Sequence, residues 1–128
     1  MTRYLLERVG SLLLTKAAVS GPAGVKVVRF LVDTGSVYTI VPVEVLESIG
    51  CSPAVSSEHV RLITGSGYLI APKVRVAWVQ CLGLKVDQMA VVAHTLPFGS
   101  LVDGLVGMDF LRPFSAIVLI AEGIIEVP

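Results

Sequence analysis

The chain has 128 residues, 54% of them hydrophobic and 16% charged, with ten basic residues balancing ten acidic ones. That length gives residues 1–128 as one domain with a real core, and the absence of a basic cluster or a charged tail argues against a nucleic-acid partner. A charged share well under the roughly 25% of an average domain leaves more apolar surface than one core hides, which favours an oligomer. Residues 2–9 read as a helix or an irregular arm. Residues 11–19 and 25–32 are apolar and β-branched, and Ser20-Gly21-Pro22-Ala23-Gly24 between them is a turn, so the pair reads as a hairpin. Its second strand ends at Asp33. Residues 37–40 are short and apolar. Pro42 then opens a short helix that groups Val45, Leu46 and Ile49 on one face and stops at Gly50. Residues 59–64 and 68–79 form a second hairpin around Gly65-Ser66-Gly67. In its second arm Val74, Val76 and Trp78 alternate with Lys73, Arg75 and Ala77, and Trp78 is read as core. Residues 84–93 are a further strand, 96–100 a loop, and 101–106 an apolar run around an Asp103-Gly104 turn. Residues 107–111 make a helical turn ended by Arg112-Pro113, and residues 114–121 and 124–127 close the chain as strands joined at Glu122-Gly123. Many short strands with one or two short helices define an all-β class.

No stretch is long and apolar enough to span a bilayer. Leu12-Leu13-Leu14 is flanked too closely by Arg3, Glu7, Arg8 and Lys16 to serve as a secretory leader. The expected location is cytoplasmic, and Cys51 and Cys81 are expected to be free thiols in a reducing compartment. With His59 and His94 they fit no zinc spacing, so no metal and no cofactor is expected.

The stretch with chemistry is Leu31-Val32-Asp33-Thr34-Gly35-Ser36. Only four aspartates occur in the chain, and this one follows two apolar residues. A carboxylate at a buried strand end is costly unless it is hydrogen-bonded or working. Gly35 allows a tight turn that aims a backbone N–H at that carboxylate. The plain alternative is a turn-initiating aspartate. About thirty residues later comes Gly65-Ser66-Gly67, and near the end Leu105-Val106-Gly107, followed by Met108-Asp109-Phe110-Leu111. Each motif alone is weak.

Together and in this order they resemble single-domain retropepsin-like aspartic proteases, retroviral or pepsin-type, over nearly the whole chain. Ser36 and Met108 are more similar to bacterial members and pepsin lobes than to retroviral enzymes. The resemblance implies a retropepsin-like acid-protease barrel with one lobe per chain. It implies that Asp33 is catalytic and that a homodimer supplies two Asp33 carboxylates, because only one Asp-Thr-Gly is present. Such a pair shares one proton and can activate water against a peptide bond. By the same resemblance Thr34 braces the two loops across the axis, the Gly35 N–H holds the carboxylate, and Ser36 bonds its outer oxygen. Gly65, Ser66, Gly67 and Tyr68 would form a flap over a peptide or protein substrate bound as an extended strand. Leu105, Val106 and Gly107 would pack under the loop, and Ile124, Ile125 and Val127 would suit an interfacial strand.

Other readings are kept beside these. Asp103 reads as a turn residue and Asp109 as a first-turn helix charge. A Ser-His-Asp triad using His59 or His94 has no nucleophile elbow. The alternative function is a retropepsin-like dimerisation or peptide-binding module with little turnover, and a third is a subunit docked on another protein through its apolar surface.

Overall fold

The computed structural model describes residues 1–97 and 101–128, so the loop expected over 96–100 lies mostly outside the described residues. In chain order the elements are β1 (Thr2–Leu5), β2 (Glu7–Val9), β3 (Leu12–Gly21), β4 (Gly24–Val32), β5 (Ile40–Val41) and α1 (Val43–Ser48). The hairpin β6 (Glu58–Thr64) and β7 (Gly67–Arg75) follows, then β8 (Trp78–Cys81), β9 (Leu84–Asp87), β10 (Ala90–Ala93) and β11 (Gly104–Val106). The chain ends with α2 (Met108–Leu111), β12 (Ile117–Leu119) and β13 (Ile124–Val127). The fold is all-β with few short helices, as the composition of strands and turns predicts.

One long curled sheet runs β6-β7-β10-β5-β11-β4-β3-β8-β9, with β2 added beside β3, and a second sheet runs β1-β13-β12. Pairing is antiparallel except for β10 with β5 and β11 with β4. The central strands carry unbroken apolar pairs because both their faces are covered. Phe30, Val41, Val91 and Val106 enter the main core, while their neighbours Leu31, Ile40, Val92 and Leu105 enter a smaller cluster beneath the β6–β7 hairpin. This period-two split is the physical origin of the site. One face of the central strands stabilises the barrel, and the other floors a cleft.

The main core is closed by α1, whose Leu46 is fully buried together with Ile49 just beyond it. Gly50, at φ +83°, ends the helix as expected. Gly21 faces this corner without a side chain, since a Cβ there would lie 2.7 Å from Cys51 Sγ.

Several expectations are corrected. Residues 2–9 are two strands, not a helix or arm. β1 pairs with β13, with Arg3 bridged to Glu126 at 2.8 Å, and β2 is tied to β4 by Glu7 and Arg29 at 2.5 Å. The arm expected over 68–79 breaks after β7. Val76 N–H donates to Met89 O and Ala77 N–H to Ser20 O, which carries Trp78 across to pair with β3. Trp78 is accordingly only half-buried, with Lys85 over its ring at 5.2 Å. The strand expected over 84–93 is divided at Gln88, which sits at φ +51°. The α-helical turn stops at Leu111, directly before Arg112-Pro113 as expected, but a 3-10 turn over Arg112–Phe114 follows it and ends at Ser115 at φ +54°. The strand expected over 114–121 shortens to β12.

Cys81 is buried, and its thiol is pushed up to about 12 by burial. Cys51 is partly exposed, with a smaller upward shift of the same cause. A thiol held neutral in the fold stabilises it fully below its ordinary value of 9.0, and that contribution fades as the pH rises towards about 12. We therefore expect thermal unfolding to show a falling midpoint above pH 9 that is flatter in Cys81→Ala. An identical alkaline slope in the variant would contradict this. Among the described residues no helix is long and apolar enough to cross a membrane.

Candidate active site

The site begins where β4 and β11 end side by side. Their parallel register places Val106 beside Val32, and Asp33 N–H donates to Val106 O at 3.1 Å. Asp103, expected as a simple turn, extends this ladder at its other end. Its carboxylate accepts from Arg29 N–H at 2.8 Å, and its own N–H returns a bond to Arg29 O at 2.9 Å.

Beyond β4 the chain turns sharply. Gly35 N–H donates to Asp33 Oδ1 at 2.9 Å, and Ser36 N–H to Asp33 O at 3.2 Å. The backbone thus fixes one carboxylate oxygen while Asp33 stays half-buried at the cleft wall. The Ser36 hydroxyl corrects an expectation: it donates to Tyr38 O at 2.7 Å rather than to the outer carboxylate oxygen. The turn brings that carbonyl within reach, and the hydroxyl has a single proton to give. Thr34 is exposed and lines a separate hollow of about 570 Å³ with Met108, Leu111, Ala116, Val118 and Ile120.

Leu105, Val106 and Gly107 lie under the loop, with Leu105 and Val106 both buried. Gly107 touches the loop so closely that a Cβ would lie 2.5 Å from Tyr38 O and 2.8 Å from Ser36 O. Those are backbone atoms, so a larger residue would displace the loop. Met108 N–H donates to Ser36 O at 2.8 Å and Asp109 N–H to Val37 O at 3.1 Å.

Sequence reading missed the side chains that lock this contact. Thr39 is fully buried. Its N–H donates to Asp109 Oδ2 at 2.9 Å, its hydroxyl donates to Asp109 Oδ1 at 2.7 Å, and that hydroxyl accepts from Gly107 N–H at 3.2 Å. Asp109 sits in the first turn of α2 as expected, and its carboxylate is in addition a clamp on the loop that bears Asp33. The only available signal was a buried-looking threonine six residues after Asp33, which spacing alone does not connect to Asp109.

The β6–β7 hairpin turns on two residues, Gly65 and Ser66, with Thr64 paired to Gly67 at φ +133°. It covers one wall of a cleft of about 670 Å³ that also holds Asp33, Ile40, Leu62, Leu69, Leu96 and Leu105. Of the four hairpin residues singled out from sequence, Ser66 lines this cleft. Tyr68 is 62% exposed and lies under Arg61, whose guanidinium is 4.5 Å from the ring centre. The strand alternation explains it, since Leu69 takes the inward place and its neighbour must face out.

A family model described as aspartyl protease matches residues 15–110, more than half of the chain and inclusive of the Asp33 loop, the β6–β7 hairpin and Gly107. Among solved structures the chain is similar to a retropepsin-like aspartic protease from Rickettsia conorii. The identity is 17%, the TM-score 0.69, and 98% of each chain is covered. A comparison with curated proteins finds no match. Fold likeness over the full length and a sequence match through the Asp-Thr-Gly loop agree: the chain has a retropepsin-like fold and belongs to the aspartyl protease family.

Proposed function

We propose that this chain is one half of a homodimeric aspartic endopeptidase. The observation that carries the reading is the Asp33 carboxylate, gripped by Gly35 N–H and held on a clamped loop at the wall of an apolar cleft. One chain brings one such carboxylate, and peptide hydrolysis by this chemistry needs two. A second copy related by a two-fold axis supplies the other. One Asp33 carboxylate takes a proton from water as the water oxygen attacks the carbonyl carbon. The other, protonated, gives its proton to the carbonyl oxygen. Collapse of the tetrahedral adduct then breaks the C–N bond, with a proton delivered to the leaving nitrogen.

The surface beside Thr34 supports the dimer. Met108 is 38% exposed and Ile120 72% exposed there, next to the half-buried Val118. Covering that hollow with its own copy would bring two Thr34 side chains, and so two Asp33 loops, together. The Gly65–Tyr68 tip would close over a peptide that lies extended along Leu62 and Leu69. Tyr68 turned outward favours the second reading, a peptide-binding module with little turnover, because it leaves the tip less to lay on a substrate.

Peptide-library cleavage with molar mass measured on the same samples tests the proposal. The expected result is cutting confined to the dimer. A dimer that cuts nothing would replace the protease by the module, and a monomer that cuts would overturn the two-chain site.

A further inference from the structure

The walls of the cleft differ in kind. Ile40, Leu62, Leu69, Leu96 and Leu105 make it apolar, yet two basic residues also border it, Arg61 of β6 at the rim, where its guanidinium lies over the outward Tyr68 ring, and His94 in the segment just after β10. Among the described residues no carboxylate lines it except Asp33. Glu44 accepts from the Thr95 hydroxyl at 3.0 Å and is not among the residues that line the cleft. Among the described residues neither Arg61 nor His94 takes part in an ion pair. Arg61 is always charged, and its stacking on Tyr68 limits its freedom at the cleft rim. His94 brings a ring N–H donor in either protonation state. Its backbone N–H is fixed to Val41 O at 3.1 Å, which anchors the residue at the cleft wall.

Resting on the protease reading above, we propose that the cleft selects peptides that carry an acidic side chain within a few residues of an apolar cut site. His94 receives that carboxylate at the cleft wall, and Arg61 adds its positive charge from the rim. An apolar floor sets what sits at the cut. The basic pair sets what sits beside it, because a carboxylate finds the His94 donor, the Arg61 charge at the rim and, among the described residues, no competing acid apart from Asp33. Charge-assisted bonds of this kind are the strong ones, and an uncharged amide in the same place forfeits them.

The test compares peptides that differ only by Glu against Gln, placed in turn at each position flanking the cut. A pH of about 6 keeps free glutamate charged. Wild-type protein is expected to favour Glu about tenfold in kcat/KM at one position. That Glu/Gln ratio is expected to fall towards one in Arg61→Gln, in His94→Gln, or in both, whatever happens to the absolute rate. A wild-type ratio near one at every position, or a ratio unchanged in both variants, would overturn the proposal. Equilibrium binding of the same fluorescent peptides to Asp33→Asn protein keeps the two readings apart. If wild type cuts nothing, the protease reading fails. The selectivity then stands if bound Glu peptides are preferred and Arg61→Gln or His94→Gln added to Asp33→Asn removes the preference, and it falls otherwise.

Discussion

Replacing Asp33 by asparagine is expected to lower peptide cleavage by about four orders of magnitude while the dimer persists or tightens. The substitution is nearly isosteric. The asparagine carbonyl can still accept from Gly35 N–H, which now bonds Asp33 Oδ1 at 2.9 Å, so the turn has no reason to open. What disappears is the group that takes and returns a proton. In the proposed dimer both copies lose it at once, because one gene change alters both halves of the site. The dimer is expected to gain, since two carboxylates drawn together across an axis repel each other, and two amides do not. Turnover of a fluorogenic peptide, molar mass and a thermal midpoint measured on one preparation decide the matter. Full activity in the variant would remove Asp33 from the mechanism. Lost activity with a lost fold would leave the chemistry to a second variant, Asp33→Glu, which keeps a carboxylate but misplaces it. That variant should retain the fold and recover little turnover.

The parts of this molecule that were legible in sequence are the ones governed by local rules. The β3–β4 hairpin followed from β-branched runs around a Gly-Pro turn, and α1 from Pro42, Leu46, Ile49 and Gly50. The long β6–β7 hairpin followed from glycines between apolar arms. The parts that were not legible depend on partners far away in the chain. β1 is mostly exposed and shows no clear alternation, and it is a strand because β13 offers it an edge more than one hundred residues later. The break at Val76 and Ala77 is imposed by Met89 and Ser20, which take those two N–H groups. Which way Tyr68 faces is set by strand parity, since Leu69 beside it takes the inward place. The site itself was half visible: Asp33, Gly35 and Gly107 carry recognisable motifs, whereas the Thr39–Asp109 clamp joins two ordinary residues through a buried contact.

That clamp carries the second large prediction. Asp109→Ala is expected to cost about 2–4 kcal/mol of folding stability and to depress turnover more than substrate binding. Thr39 is fully buried. Removing the carboxylate strands its N–H and its hydroxyl proton, which now have acceptors at 2.9 and 2.7 Å. Each stranded donor carries its own desolvation penalty. The loop that bears Asp33 then keeps only its backbone ties, among them Met108 N–H to Ser36 O and Asp33 N–H to Val106 O. A carboxylate displaced by a fraction of an ångström still lines the cleft, so peptides bind, but the two carboxylates no longer meet in register. Asp109→Asn should cost less, because its amide oxygen can still accept one of the two bonds. Thr39→Val removes the hydroxyl from the other side. In a double-mutant cycle by denaturant unfolding, Thr39→Val and Asp109→Ala should be less than additive, with a coupling of about 1–2 kcal/mol. Additive costs, or a loss under about 0.5 kcal/mol for Asp109→Ala, would mean that the loop is held by its backbone and by the close fit of Gly107 alone.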